Sequence, residues 1–129
     1  MEDTIRLLVV DDEEQFLKTI SKLLKRRGFT ITAVSTGEQA LEVARKEEFH
    51  VALVDLKMPG MDGEQLLEAL KKEHQCIEVI ILTGHGSIDS GIRTTKLGVH
   101  SYLEKPCELD TLLYVLKGVR RRHIKKNVC

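Results

Sequence analysis

Short apolar runs alternate along this chain with longer segments whose apolar residues recur at helical spacing. Residues 7–10, 51–54 and 79–82 are runs of Val, Ile, Leu and Ala with no polar residue between them. Such runs are typical of parallel strands that helices cover on both faces. Residues 29–34 and 101–104 add two further strand patterns, and a helical pattern follows each strand. The pattern predicts one α/β domain, a doubly wound parallel sheet of five strands with five helices.

The ends of several helices are indicated by the residues that flank them. Gly28 follows the first helical segment as a C-terminal stop. Ser35, with Glu38 three residues later, matches a capping box, so the second helix is predicted to begin there and to extend to about Glu48. The last helix is predicted to begin near Glu108.

The fourth predicted helix, over residues 88–97, has an unfavourable composition. Gly91 lies inside it, at a cost of about 1 kcal/mol relative to Ala. Thr94 and Thr95 add β-branched side chains, which lose rotamer freedom in a helix. We therefore expect this helix to be weak and mobile.

Polar side chains follow four of the five predicted strands, at the point where each strand ends. Asp11 and Asp12 follow the first strand, Asp55 the third, Thr83 the fourth and Lys105 the fifth. The carboxyl ends of parallel strands lie along one edge of a sheet, where ligands bind in open α/β folds. We expect these five side chains to converge there as a site.

The chemistry of this group points to a divalent cation and a phosphoryl group. Carboxylate oxygens without Cys or His at ligand spacing favour Mg²⁺ or Ca²⁺ over zinc, and an open site with few protein ligands suits Mg²⁺. A carboxylate such as Asp55 is a nucleophile toward phosphorus that forms an acyl phosphate. Lys105 and the cation would supply positive charge, and Thr83 would donate a hydrogen bond to a phosphoryl oxygen.

Four motifs in this chain resemble those of the receiver domain of two-component response regulators. They occupy residues 10–13, 55–63, 82–84 and 102–106, and the resemblance extends over residues 6–119. The motifs are most similar to receivers of nitrogen-regulator-type, sigma-54-dependent transcription activators. The resemblance implies a flavodoxin-like sheet with the strand order 2-1-3-4-5.

The resemblance also implies a site and a donor for the phosphoryl group. Asp55 would be phosphorylated by a sensor histidine kinase or a phosphotransfer protein. Asp11, Asp12, Asp55 and the backbone carbonyl of Lys57 would bind Mg²⁺, and no organic cofactor is expected. The Lys105–Pro106 peptide bond would be cis, as in the family.

The resemblance further implies how phosphorylation is signalled. Thr83 and Lys105 would contact the phosphoryl group, and Thr83 with Tyr102 would rearrange. The rearrangement would change the face formed by the fourth helix, fifth strand and fifth helix, through which a partner or a second copy would bind. Lys57 and His85 occupy positions that vary in the family and set phosphoryl lifetime. Because a cation at position 57 can pair with the phosphoryl group and exclude water, we expect a lifetime longer than minutes.

Three other classes of protein are disfavoured by particular residues. A phosphatase of the haloacid dehalogenase type needs a second Asp two residues after its nucleophile, where Lys57 stands. A flavodoxin needs a phosphate-cradling loop after the first strand, where residues 11–14 are all acidic and would repel it. A calcium loop starting at Asp55 would have Lys57 and Pro59 at ligand positions and Leu66 as its closing residue.

Composition restricts the partners and the compartment. Lys plus Arg and Asp plus Glu both total 20, so no net charge draws the whole chain to nucleic acid or to a membrane surface. No signal peptide or membrane-spanning pattern is present in the sequence. Cys76, Cys107 and Cys129 lack paired spacing, which favours reduced thiols and a cytoplasmic location.

The end of the chain leaves the output open. We assign residues 4–119 to the receiver domain and residues 120–129 to a basic tail or the start of a linker. The basic run at 120–126 is interpreted as a solvated helix end, a linker to an absent output domain, or a nucleic-acid contact. No helix-turn-helix pattern follows it, so no direct DNA contact is expected. The chain is expected to act as a switch and not as a metabolic enzyme, with a stand-alone phosphorelay shuttle as the alternative.

Overall fold

The computed structural model describes residues 4–126 of the 129-residue chain, and side chains within residues 4–119. Five strands and five helices alternate along this part of the chain. Their bounds are β1 Arg6–Val10, α1 Glu14–Lys25, β2 Thr30–Val34, α2 Gly37–Lys46, β3 Val51–Val54, α3 Gly63–Glu73, β4 Glu78–Thr83, α4 Ile88–Lys96, β5 Ser101–Glu104 and α5 Leu109–Lys126. The predicted number and order of elements are confirmed.

The five strands form one parallel sheet in the order β2-β1-β3-β4-β5. Strand β1 pairs with both β2 and β3, and its last residue, Val10, lies opposite Val34 and Val54. The order implied by the family resemblance is confirmed. All strands point the same way, so residues 11, 55 and 105 follow their strands at one edge of the sheet.

Two apolar layers enclose the sheet, and alternate residues of each central strand enter opposite layers. Val10 and Val54 pack with α2 and α3, whereas Val9 and Leu53 pack with α1 and α5. Both faces are therefore buried, which explains why these strands show no alternation of apolar and polar residues.

The start of α2 differs from the prediction by one residue. Thr36 is the N-cap, and its hydroxyl oxygen accepts a hydrogen bond from the backbone N–H of Gln39 at 3.1 Å. Gln39 returns the interaction, since its side-chain oxygen accepts a hydrogen bond from the N–H of Ser35. The prediction of a capping box from Ser35 to Glu38 was wrong, because Gln39 and not Glu38 stands three residues after the N-cap.

Helix α4 forms over nearly the predicted range. Side-chain hydroxyl groups form hydrogen bonds with several of its backbone N–H and C=O groups. Ser87 and Ser90 form a reciprocal capping box at its start. Thr94 donates its hydroxyl hydrogen to the carbonyl of Ser90 at 2.9 Å, and Thr95 donates to Gly91 at 2.8 Å. Such bonds tend to loosen and bend a helix. The mobility of α4 stays a prediction.

Two expectations about the rest of the chain have definite outcomes. Among the described residues, Cys107 is a free thiol, whereas Cys76 is disulfide-bonded, so the expectation of reduced thiols was wrong for Cys76. Cys129 lies outside the described residues.

Helix α5 continues through the basic run to Lys126. Within residues 4–126, no helix is both long and apolar enough to cross a bilayer.

Candidate functional site

Three carboxylates meet where β1 and β3 end. The backbone N–H of Asp11 donates to the carbonyl of Val34, and that of Asp55 donates to Val10, so the sheet ladder continues to the first residue after each strand. One carboxylate oxygen from each of Asp11, Asp12 and Asp55 lies within 4.8 Å of the others. Asp11 and Asp55 are buried, at 1% and 3% exposure, whereas Asp12 is exposed.

The chemistry of this acidic cluster fits a hard divalent cation. Three carboxylates at this separation repel each other unless a cation or a proton lies between them. The Oδ1 atom of Asp55 is buried, and no described residue donates a hydrogen bond to it. A buried carboxylate oxygen without a donor is costly, so a cation or ligand there would relieve the cost. The oxygen-only donors suit Mg²⁺.

Lys105 brings positive charge to the edge of the cluster. Its Nζ lies 2.6 Å from Oδ2 of Asp11 and 2.8 Å from Oε1 of Glu13. The same ammonium lies 4.1 Å from the ring centroid of Phe16, a cation–π contact. The Lys105–Pro106 peptide bond is cis, as the resemblance implied, and the Lys105 N–H donates to the carbonyl of Thr83 at 2.9 Å.

These contacts change the pKa of three groups in different directions. Burial raises the pKa of Asp11, and the hydrogen bond from Lys105 opposes the change without cancelling it. The hydrogen bond from Lys105 lowers the pKa of Glu13, which is mostly exposed. Burial by itself would lower the pKa of Lys105, but its hydrogen bonds to Asp11 and Glu13 outweigh burial and raise it. Lys105 is therefore held firmly in its charged form.

Thr83 and Tyr102 lie in different surroundings. Thr83 is fully buried, and its hydroxyl oxygen accepts a hydrogen bond from the N–H of His85 at 3.1 Å. The Tyr102 hydroxyl accepts a hydrogen bond from the N–H of Ser87 at 3.2 Å and lies 2.8 Å from Oγ of Ser90. Tyr102 is therefore attached to the start of α4.

A cleft of about 340 Å³ opens over the acidic cluster. Asp12 and Asp55 line it together with Lys57 and His85, both of which are exposed. The cleft thus brings together two carboxylates of the cluster and the two residues expected to influence phosphoryl lifetime.

The loop after β3 is held by a close backbone contact that no local sequence pattern indicates. A Cβ on Gly63 would overlap the carbonyl oxygen of Asp55 and the Cα of Leu56. The N–H of Gly63 donates to the carbonyl of Leu56 at 2.8 Å, and Asp62 caps α3. Only glycine fits here, so Gly63 helps to position the backbone that carries Asp55.

Three further residues at the site were missed because their partners are distant in sequence. Glu13 and Phe16 contact Lys105, and Ser90 contacts Tyr102. Glu13 belongs to the motif at residues 10–13 and to an acidic run, but neither pattern indicates that its side chain contacts Lys105. Phe16 fits the apolar pattern of α1 equally well as a core residue.

The fold and the acidic cluster define a doubly wound α/β domain with a carboxylate site at the C-terminal edge of its sheet. The family model described as response regulator receiver domain matches residues 7–117. The chain therefore belongs to the response regulator receiver domain family.

Curated relatives agree with this family. The chain is 36% identical over 115 residues to the putative response regulator NtrX-like of Rickettsia bellii strain RML369-C, covering 88% of this chain and 24% of that protein. It is 38% identical over 106 residues to the transcriptional regulatory protein GlrR of Escherichia coli strain K12, covering 82% of this chain and 24% of that protein. The chain thus spans about a quarter of the length of these relatives. Their names agree with the resemblance to nitrogen-regulator-type receivers.

Solved structures agree in fold. A CheY-like response regulator receiver domain protein from Methanospirillum hungatei JF-1 superimposes with a TM-score of 0.92 at 28% identity, covering 95% of this chain and 98% of that chain. A response regulator receiver domain protein from Clostridium thermocellum gives a TM-score of 0.89 at 32% identity, covering 97% and 99%. The flavodoxin-like receiver fold is confirmed.

Proposed function

We propose that this chain is a phosphorylation-activated switch that accepts a phosphoryl group on Asp55 from a sensor histidine kinase or a phosphotransfer protein. The observation that supports it most is the environment of Asp55. Its carboxylate is buried beside Asp11 and Asp12, its Oδ1 atom accepts no hydrogen bond from a described residue, and Lys105 lies against the same cluster. A nucleophile toward phosphorus needs both a free oxygen and nearby positive charge.

The transfer would exchange one bond to phosphorus for another. An Asp55 oxygen bonds to phosphorus while the phosphorus–nitrogen bond of the donor's phosphohistidine breaks, and the released imidazole nitrogen keeps the electron pair and takes a proton. Bound Mg²⁺ would neutralise charge on the transferring group. Asp12 would be a direct ligand of the ion, Asp11 would act mostly through water, and the Lys57 carbonyl would complete the set.

Lys105 and Thr83 would hold the transferred group. In the unphosphorylated chain the Lys105 ammonium contacts Asp11 and Glu13, and the Thr83 hydroxyl accepts a hydrogen bond from His85. The Lys105 ammonium would give up contact with a carboxylate for a phosphoryl oxygen, and the Thr83 hydroxyl would donate its hydrogen to another phosphoryl oxygen. A lysine gives this charge as a compact ammonium with three donors.

The output would be a change in the conformation of the face formed by α4, β5 and α5. Tyr102 on β5 contacts the first turn of α4, so movement of Thr83 and Tyr102 would be felt there. Among the described side chains of α4 and α5, three large apolar ones are exposed, namely Ile88 at 84%, Ile92 at 51% and Tyr114 at 73%. Exposed apolar groups favour this face as the one that binds a partner or a second copy.

Control of transcription through an output domain is the output we favour over a stand-alone shuttle. The supporting observation is that the curated relatives include a transcriptional regulatory protein of which this chain matches 24%. We further propose that the chain works in the cytoplasm and catalyses only its own phosphorylation and slow dephosphorylation.

The test is intact-mass analysis after incubation with acetyl phosphate and Mg²⁺. Wild-type chain is expected to gain the mass of one phosphoryl group, and Asp55→Asn is expected to gain none. The same chain incubated with EDTA in place of Mg²⁺ is the control for the cation. Unlabelled wild type, or equal labelling of both chains, would refute the proposal.

A further inference from the structure

The Lys105 ammonium contacts three side chains, and Asp55 is not one of them. Two of its hydrogen bonds go to Asp11 and Glu13, at 2.6 Å and 2.8 Å. The ring of Phe16 lies 4.1 Å from it. Meanwhile the Asp55 Oδ1 atom accepts no hydrogen bond from any residue in the described part of the chain. The positive charge that phosphoryl transfer to Asp55 requires thus lies near Asp55 but is bound to other groups.

The two carboxylates that hold Lys105 differ in burial. The Asp11 side chain is 2% exposed, whereas that of Glu13 is 64% exposed. Asp11 is packed at the end of β1, and its Oδ1 also accepts a hydrogen bond from the N–H of Glu13. Glu13 is therefore the partner that solvent can replace when Lys105 moves.

Glu13 also occupies a position where its side chain contributes little to the helix. It is the N-cap of α1, with extended backbone angles, yet within the described chain its carboxylate makes no capping hydrogen bond. Ser, Thr, Asp and Asn are preferred at this position because their short side chains reach the next N–H groups. The longer Glu reaches Lys105 instead.

We propose that Glu13 is a positioning residue that holds Lys105 in a resting place, and that Lys105 leaves Glu13 when Asp55 is phosphorylated. The proposal rests on the proposed function. Phosphorylation then breaks the contact between Glu13 and Lys105, so Glu13 opposes entry of the phosphoryl group. Once Lys105 has moved, Glu13 no longer touches it and does not affect loss of the phosphoryl group. Glu13 therefore sets the rate at which Asp55 is phosphorylated, without changing the lifetime of the phosphorylated state.

The expected effect is moderate, because an ion pair with an exposed partner changes an equilibrium by up to about fivefold. Glu13→Gln and Glu13→Asp should both raise the initial rate of Asp55 labelling by acetyl phosphate at saturating Mg²⁺, by about two- to fivefold. The Asp variant keeps the charge but shortens the side chain beyond reach of Lys105. The rate of phosphoryl loss should stay within about twofold of wild type.

Glu14→Gln is the matched control. Glu14 carries the same charge in the first turn of α1 and is not among the groups that contact Lys105 in the described chain. It should label at the wild-type rate. Equal acceleration by Glu14→Gln and Glu13→Gln would mean that only net charge matters and would overturn the proposal. An equal change in labelling and in phosphoryl loss would also overturn it.

A second measurement does not depend on phosphorylation. In urea unfolding of the unphosphorylated chain, Glu13→Gln and Lys105→Met should couple, whereas Glu14→Gln and Lys105→Met should be additive. Additive effects in both cycles would refute the contact. If wild type itself fails to label at Asp55, the proposed function fails. Normal wild-type labelling with unaltered Glu13 variants defeats only the role of Glu13.

Discussion

The hydroxyl oxygen of Tyr102 lies 2.8 Å from Oγ of Ser90, and it also accepts a hydrogen bond from the N–H of Ser87. This contact joins β5 to the first turn of α4. Ser87 and Ser90 already cap each other, so Tyr102 adds a bond from another element to a cap that is complete within the helix. The start of α4 is therefore linked to the position of one aromatic side chain on β5.

Tyr102→Phe keeps the ring and removes the hydroxyl. We expect it to destabilise the fold by about 1 kcal/mol, the usual contribution of one hydrogen bond, and to speed amide exchange at the start of α4. Labelling of Asp55 should remain. Tyr114→Phe is the matched control, because that side chain is 73% exposed on α5. Unaltered exchange in α4 of the Tyr102 variant would contradict the prediction. Hydrogen exchange and urea unfolding make the two measurements.

Gly63→Ala tests the close backbone contact after β3. The new Cβ would overlap the Asp55 carbonyl and the Leu56 Cα, which are backbone atoms and cannot rotate away. We expect a loss of about 1–3 kcal/mol of stability and slower labelling of Asp55. Gly118→Ala is the control, since apart from the neighbouring backbone of α5 itself no described atom lies within 4 Å of a Cβ there. Equal stability of the two variants in urea would show that the loop tolerates a side chain.

Gly91→Ala tests whether α4 is weak for the reason that its composition indicates. Apart from the neighbouring backbone of α4 itself, no described atom lies within 4 Å of a Cβ at this position, so Ala should fit. We expect a gain of about 0.5–1 kcal/mol and slower amide exchange within α4, because Ala loses less backbone entropy. The measurement is hydrogen exchange resolved by residue. If α4 exchanges as fast in the variant as in wild type, glycine is not the cause of its weakness.

The pair formed by Glu64 and Arg93 predicts a pH dependence. Two hydrogen bonds of 2.8 Å join Arg93 on α4 to Glu64 on α3, and the hydrogen bond from Arg93 lowers the pKa of Glu64 from its ordinary value of 4.5. A carboxyl whose folded pKa is depressed stabilises the fold above its unfolded pKa, and the effect fades as pH falls through the folded pKa.

Arg93→Gln should therefore be less stable than wild type near pH 7, and the difference should shrink below about pH 4.5. Urea unfolding at several pH values measures it. The Arg45 and Glu73 pair, which joins α2 to α3 in the same geometry, offers Arg45→Gln as a comparison that leaves α4 untouched. A stability difference for Arg93→Gln that is independent of pH would rule out the ion pair as its source.

Lys57 is expected to prolong the phosphorylated state. It lines the cleft over Asp55, so its charge can pair with a phosphoryl oxygen and exclude water. We expect a half-life longer than minutes in Mg²⁺ buffer and a shorter one for Lys57→Ala. Lys72→Ala, at the far end of α3, should match wild type. Intact mass followed over time after removal of acetyl phosphate measures the decay, and a wild-type half-life of seconds would refute the expectation.

Much of the fold was predictable because both faces of the sheet are buried. The unbroken apolar run at residues 51–54 identified β3 without error, and the strand pattern at 101–104, although not wholly apolar, identified the bounds of β5. The N-cap of α2 was misplaced by one residue because Ser35 and Thr36 are both good caps. Their competition is decided by Gln39, whose side chain bonds back to Ser35.

The sequence by itself determined the order of elements and the types of group at the ends of the strands. Periodicity is local, and parallel strands share one edge, so the meeting of Asp11, Asp12 and Asp55 followed from chain order. Only the tertiary structure decided which side chains Lys105 touches. Glu13 and Lys105 are 92 residues apart, and their contact depends on side-chain directions that no local pattern records. The local sequence determines which chemical groups lie at the site, whereas tertiary packing determines which of these groups are in contact.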